Sequence, residues 1–272
     1  MLFRMAALLV AFAFPLVPQA PAQSGKPAAK PGKPAAGATA DSTPATANLP
    51  DGRALIDKFV KAIGGRDAVL SHKSEHAVGS FSMSGSGMTG TVELFGAADP
   101  NRSLQRVSMP GIGDVTNGFD GQHGWTIDPM TGPRLQVGAE LDQTKITSDF
   151  YGELRDPKSY PSVKTIERGD FDGHPCYKVR LTNVYGVTDY DYYDVATGLR
   201  VGAIETQQTP MGNITATSVI GDYKKFGNLL QATSVTQRAM GVEQKITLQS
   251  FEYDHVDPSV FELPAPIKAL IK

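Results

Sequence analysis

The sequence predicts a mainly β (α+β) fold: a curled antiparallel sheet, or incomplete β-barrel, of about 11 strands with helices covering its concave side. Three observations predict it. From about His76 onward the apolar residues recur at every second position, the period of a half-buried strand. The strands are short, and Gly-rich turns separate them at regular spacing. Asp120-Gly121 and Asp172-Gly173 are hairpin signals, because the tight turns that match strand twist need positive φ, which Gly and Asp tolerate.

The chain has 272 residues, and its first segment reads as an export signal. Arg4 supplies a positive start, residues 6 to 17 are apolar but interrupted by Pro15, and Ala20-Pro21-Ala22 fits a small-x-small cleavage site with the cut after Ala22. The apolar run is too short to span a membrane, and no other long apolar run follows. Residues 23 to 50 read as a Pro/Ala/Lys-rich disordered linker in which Gly-Lys-Pro-Ala-Ala occurs at Gly25 and again at Gly32. Residues 51 to 272 are long enough for one sizeable core.

Lys and Arg total 26 and Asp and Glu total 28; removing Arg4, Lys26, Lys30, Lys33 and Asp41 leaves 22 against 27. No basic patch of the kind that binds nucleic acid is visible. Cys176 is the only cysteine, so no internal disulfide is available and stability must come from packing. It reads as a small half-buried strand residue.

Asp51 caps a helix from Arg53 to Ile63, with Leu55, Ile56, Phe59, Val60 and Ile63 on one face and Gly64-Gly65 ending it. The period then changes to two. Ala77, Gly79, Phe81 and Met83 share a face, Ser84 to Gly87 turns, and Val92 and Leu94 alternate with Thr91, Glu93 and Phe95. After the turn at Asp99-Pro100-Asn101 come Leu104, Val107 and Met109. Ile112 to Phe119 and His123 to Ile127 are the arms of one hairpin, which Pro129 ends by withholding a ladder donor. Gly138 to Leu154 breaks the pattern: Leu141, Ile146, Phe150, Tyr151 and Leu154 suit an amphipathic helix, closed by Pro157 and Pro161. Val163 to Phe171, Pro175 to Val184, the Tyr-rich stretch 190 to 193, Leu199 to Thr206, Ile214 to Phe226, Leu230 to Arg238 and Val242 to Tyr253 complete the strands. An irregular tail packs back through Phe261 and Leu263.

Few residues ask for catalysis. His72-Lys-Ser-Glu75-His76 matches the H-x-x-E-H motif of inverted zincins, but it sits where helix gives way to strand, and no third ligand is identifiable. A zinc hydrolase built on His72, Glu75 and His76 is therefore a minor alternative. There is no nucleophile elbow, phosphate loop or dinucleotide fingerprint. Asp189, Asp191 and Asp194 read as a solvated strand face. Six methionines beyond the signal (Met83, Met88, Met109, Met130, Met211 and Met240) lie in the β region, where their adaptable shape suits an apolar ligand surface or plain gap-filling.

Three stretches resemble the LolA/LolB-like superfamily of periplasmic lipoprotein carriers. They are Asp99-Pro100-Asn101, the Asp120-Gly121 turn with Trp125 and Asp128-Pro129, and the run from Asp257 through Phe261 to Pro264. Family stretches read like Arg-Pro-Asn, Asp-Gly-x-x-x-Trp and Asp-x-x-x-Phe-x-x-x-Pro in the same order; Asp99 stands where the carrier has Arg. The resemblance implies an incomplete barrel whose concave apolar interior holds acyl chains under covering helices.

The expectation is thus an exported periplasmic carrier or binding protein for a lipid, acyl chain or lipoprotein, without covalent chemistry or cofactor, and not an enzyme. Phe81, Met83, Leu94, Met109, Trp125, Tyr177, Val179 and Leu181 are the candidate cavity lining, and Phe150 is the candidate gate. An envelope scaffold that binds another protein on the same fold is the alternative.

Overall fold

A computed structural model describes residues 49 to 210 and 212 to 271. The expected export signal, the expected linker as far as residue 48, and Met211 lie outside the described residues. Among the described residues, helices α1 (Gly52–Ala62) and α2 (Arg66–Ser71) come first. Six strands follow: β1 (Ser74–Met83), β2 (Thr89–Ala97), β3 (Arg102–Met109), β4 (Gly113–Phe119), β5 (Gly124–Asp128) and β6 (Gly132–Leu135). Helix α3 (Gly138–Thr147) and a 3-10 turn (Gly152–Leu154) lead into seven more. These are β7 (Ser162–Phe171), β8 (His174–Thr182), β9 (Thr188–Asp194), β10 (Arg200–Thr209), β11 (Gly212–Phe226), β12 (Leu229–Ala239) and β13 (Val242–Tyr253). A second 3-10 turn (Pro258–Phe261) and α4 (Ala265–Lys268) close the chain. None of the described helices is long and apolar enough to cross a membrane.

The 13 strands of the described residues form one antiparallel sheet in the order β6-β5-β4-β3-β2-β1-β13-β12-β11-β10-β9-β8-β7. Each half is a meander of local hairpins, and only the β1–β13 pairing joins sequence-distant strands. The strands β6 and β7 are consecutive in sequence yet occupy the two edges. The segment between them must cross the open side, so the barrel stays incomplete. Register shifts at Val78/Gly79, Thr165/Glu167 and Arg200/Gly202 add the local twist that curls such a sheet. Strand β6 is the one that the sequence reading lacks; at four residues it is too short to show a period.

Asp51 caps α1 by accepting from the Arg53 and Ala54 amides at 2.9 and 3.1 Å. Leu55, Ile56, Phe59 and Val60 are buried along its apolar stripe. The α1–α2 end of the molecule is tied to the sheet's turns. Lys58 donates to the Val195 carbonyl, the Leu230 amide to the Ile63 carbonyl, and His72 bridges Asp254 and Asn228.

The expected long helix from Gly138 to Leu154 is interrupted: α3 stops at Thr147. One distant and one local side chain capture backbone donors just beyond its end. Asn101 accepts from the Phe150 amide at 3.1 Å and Asp149 from the Tyr151 amide at 3.1 Å, the competition that ends helices at such residues.

The two faces of the sheet carry different cores. On the inner, helix-bearing face, Val179, Leu181 and Tyr193 join Leu55, Phe59 and Val60 of α1 with Ile146 and Leu154 of the crossover. On the outer face Ala97, Leu104 and Trp125 pack with Phe261 and Ile267 of the tail. Trp125 is therefore not a lining residue of the inner face, contrary to the sequence expectation. The register decides it: Trp125 pairs with Gly118, Gly118 with Leu104, Leu104 with Phe95 and Phe95 with His76, all on one face. Leu94, the neighbour of Phe95, necessarily points the other way.

Gly118 lets this packing form, since a Cβ there would meet the Trp125 ring at 2.3 Å. Gly118→Ala is expected to cost about 1–3 kcal/mol by overpacking and to red-shift the emission of the sole tryptophan. Fluorescence of the folded variant checks it; an unchanged spectrum contradicts the placement.

Candidate functional site

The inner face divides into an apolar lane and a buried polar cluster. The lane follows from register. Val115, Val107, Val92, Gly79 and Leu248 are successive partners across β4, β3, β2, β1 and β13. One row along, Phe81, Ile246, Val235 and Ile220 are partners across β1, β13, β12 and β11. All these side chains are buried, as are Met83, Leu94 and Met109 on the same face.

The expected lining residues thus separate into three groups. Phe81, Met83, Leu94 and Met109 lie on the lane. Val179 and Leu181 belong to the packed core beneath α1, with Tyr177 against it. Trp125 lies on the outer face. Phe150, the expected gate, is buried and meets Tyr151 edge-on at 5.1 Å. Tyr151 in turn accepts from Lys73 at 2.9 Å and donates to the His72 carbonyl at 3.0 Å. The crossover is therefore fastened beside Phe150 to the α2–β1 junction and, through Asn101, to the β2–β3 turn.

The polar cluster escaped the sequence reading. Asp189, Asp191 and Asp194 are not a solvated face: Asp191 is 2 % exposed and Asp194 is buried. Arg155 grips Asp191 through Nη2 and Nε at 2.8 and 3.1 Å. Arg200, fully buried, approaches Asp191 at 3.3 Å and Glu153 at 3.7 Å. Tyr193 donates its hydroxyl to Asp191 at 3.1 Å. Two guanidiniums thus balance two carboxylates. Burial pushes the Asp191 and Glu153 carboxyls up, but the adjacent guanidiniums override it and hold both below the usual carboxylate range. The legible signal was Arg200, flanked by Leu199 and Val201 at a strand's start.

Asp189 and Glu205 are left outside this balance. Both line a cavity of about 20 Å³ with Gln143, Asn183 and Gln207, room for roughly one water. Glu205 Oε2 has no hydrogen-bond partner among the described residues. Burial, reinforced by Asp189, pushes the Glu205 carboxyl up to about 8. Burial likewise raises Asp189 to about 6, although the Thr206 amide donates to it at 2.9 Å.

The other candidate chemistry disperses. Glu75 points inward and pairs with Tyr253, while His76 faces outward and stacks on Phe95 at 4.2 Å. His72 is engaged by Asp254 and Asn228, both at 2.7 Å. Strand geometry puts Glu75 and His76 on opposite faces, so the H-x-x-E-H run does not form the zinc motif. Among the described residues no group of three or more His, Cys, Asp or Glu is placed to hold a metal. Cys176 is buried rather than half-buried, and its thiol is pushed up to about 11 by burial and by Asp194 and Asp170. That leaves it protonated and unreactive.

A single curled sheet with unpaired edge strands and a helical crossover defines the class: an incomplete barrel. The sequence matches no protein-family model and no curated protein. Solved structures share the architecture. A DUF1329 family protein from Desulfovibrio piger is 14% identical and superposes with a TM-score of 0.55, over 79% of this chain and 98% of that one. The LolA superfamily protein NE2245 from Nitrosomonas europaea is 9% identical, with a TM-score of 0.52 over 79% and 99%. The chain has the LolA/LolB-like fold.

Proposed function

We propose that the protein is an exported periplasmic carrier or binding protein that holds an acyl chain of a lipid or lipoprotein, without covalent chemistry. The observation that carries this is the apolar lane, which runs in register across seven strands from Val115 to Ile220. A lane of branched side chains with Phe81 and two flexible methionines matches a hydrocarbon chain and offers it no hydrogen bonds. The shared fold with a LolA superfamily protein supports the reading. The crossover with Phe150 would gate the lane.

Saturated fatty acids from decanoyl to hexadecanoyl test it by competition with a fluorescent analogue. Each buried methylene contributes about 0.8 kcal/mol, so affinity should rise roughly fourfold per carbon until the lane is full. Met83→Trp and Met109→Trp, which fill the lane, should weaken uptake about tenfold or more. Flat affinity across the series, or full uptake by both filled variants, refutes the proposal. Absent uptake combined with a co-purifying envelope protein would favour the scaffold reading instead.

A further inference from the structure

The two ends of the sheet differ in character. One end carries the β2–β3, β4–β5, β7–β8 and β11–β12 turns. These display Asp99, Asn101, Asp120, His123, Asp172 and Asn228, with α1 and α2 packed beside them. The other end carries the β1–β2, β3–β4, β5–β6, β8–β9, β10–β11 and β12–β13 turns. There the tips display Ile112, Met130, Val184, Tyr185 and Met240, with Val242 beside the last. Met240 is 73% exposed, Met130 61% and Val184 52%. Among the described residues of these turns, none is charged.

Val137, Ile166 and Leu270 are exposed elsewhere, but among the described residues this rim gathers exposed apolar side chains on four turn tips, and turns favour polar residues, so the cause lies outside the fold. We propose that this rim docks on the surface of a lipid bilayer. The turns themselves are uncharged, as hydrocarbon-level contact requires, and the charges that flank them, Lys145 at 5.9 Å over the Tyr185 ring and Arg238 paired with Glu243 beside Met240, would sit among the headgroups. The shape agrees. The apolar residues sit singly or in pairs on separate Gly-, Pro- or Ser-containing hairpins. They are spread over four hairpins, whereas a second copy or a protein partner would need a continuous patch of about 800 Å² per side. A deformable plane accepts separated tips. Met83 immediately precedes the first of these turns and Met109 the second, so the docked rim would deliver the mouth of the apolar lane to the membrane. This last step rests on the proposed acyl binding; the docking itself does not.

Flotation of the purified protein with neutral phosphatidylcholine vesicles tests it, with fluorescent fatty-acid uptake measured separately in vesicle-free solution. The protein should float, and 0.5 M salt should leave flotation unchanged because no charge pairing is involved. The double variant Met130→Ser/Met240→Ser, altered only at exposed tips, should float at least fivefold less while its fatty-acid uptake is retained. Absent flotation, flotation abolished by salt, or an unaffected double variant overturns the proposal. So does sedimentation showing a dimer that the variant loses, which would make a second copy the occupant. Flotation without fatty-acid uptake supports the docking rim and refutes acyl binding, so the two readings fail separately.

Discussion

Arg200→Met is expected to lower the unfolding free energy by about 3–5 kcal/mol, read as a fall in the urea midpoint. Arg200 is fully buried between Asp191 and Glu153. Removing it takes away one of the cations that hold the buried Glu153 and Asp191 carboxylates charged in a desolvated site. Arg155 stays on Asp191, so Glu153 bears most of the loss. Glu153→Gln in the Arg200→Met background should therefore recover part of the stability, a positive coupling of about 1–3 kcal/mol in a double-mutant cycle. Strict additivity would show that Glu153 and Arg200 do not act as a pair. The Tyr223 hydroxyl bond to the Arg200 carbonyl, at 2.7 Å, survives every substitution, so the cycle reads the guanidinium alone.

Glu205→Gln is expected to do the opposite, stabilising the protein at pH 8 while leaving it unchanged at pH 4. Glu205 is held up to about 8 in the folded state, against its ordinary 4.5. The folded state therefore keeps a proton that the unfolded chain releases. The stability associated with that proton is intact below about pH 4.5 and is lost as pH rises toward 8. A neutral amide removes the loss, a gain on the order of 3 kcal/mol at pH 8. Asp189, raised from 3.8 to about 6, contributes a smaller loss with the same sign. Asp191 and Glu153, held low by the guanidiniums, work in reverse and lose stability as the solution is acidified. Stability should therefore peak in mildly acidic solution. Thermal unfolding from pH 4 to pH 8 checks both claims. Equal melting temperatures for wild type and Glu205→Gln at pH 8 would refute the assignment.

Much of the fold was legible because its causes are local. The cap at Asp51, the paired glycines after α1, the Asp-Gly turns and the period-two strands each depend on residues within a few positions. The Asp99-Pro100-Asn101 and Asp120-Gly121 turns marked real neighbours. A Cβ on Gly121 would lie 3.2 Å from Pro100, and Asn101 holds the Phe150 amide. The site was legible only in part. Phe81, Met83, Leu94 and Met109, named together as candidate lining, share one face of the sheet, because alternation within and between hairpins determines it. Trp125 was misplaced because alternation says that a strand has two faces, not which one the helices cover.

The charge cluster was illegible for a different reason. Arg155 lies 36 positions from Asp191, and the contact exists only because the crossover brings Arg155 onto the inner face. A run of aspartates among tyrosines looks solvated until Arg155 and, from the next strand, Arg200 are folded against it. By itself, the sequence determined a curled antiparallel sheet entered through one capped helix, since turn chemistry and periodicity act over a few residues. Only the tertiary structure decided that β1 closes on β13, that the tail covers Trp125, that four charges share the interior and that one rim is apolar. Those outcomes depend on strand order and sidedness, which arise from burial across the whole chain.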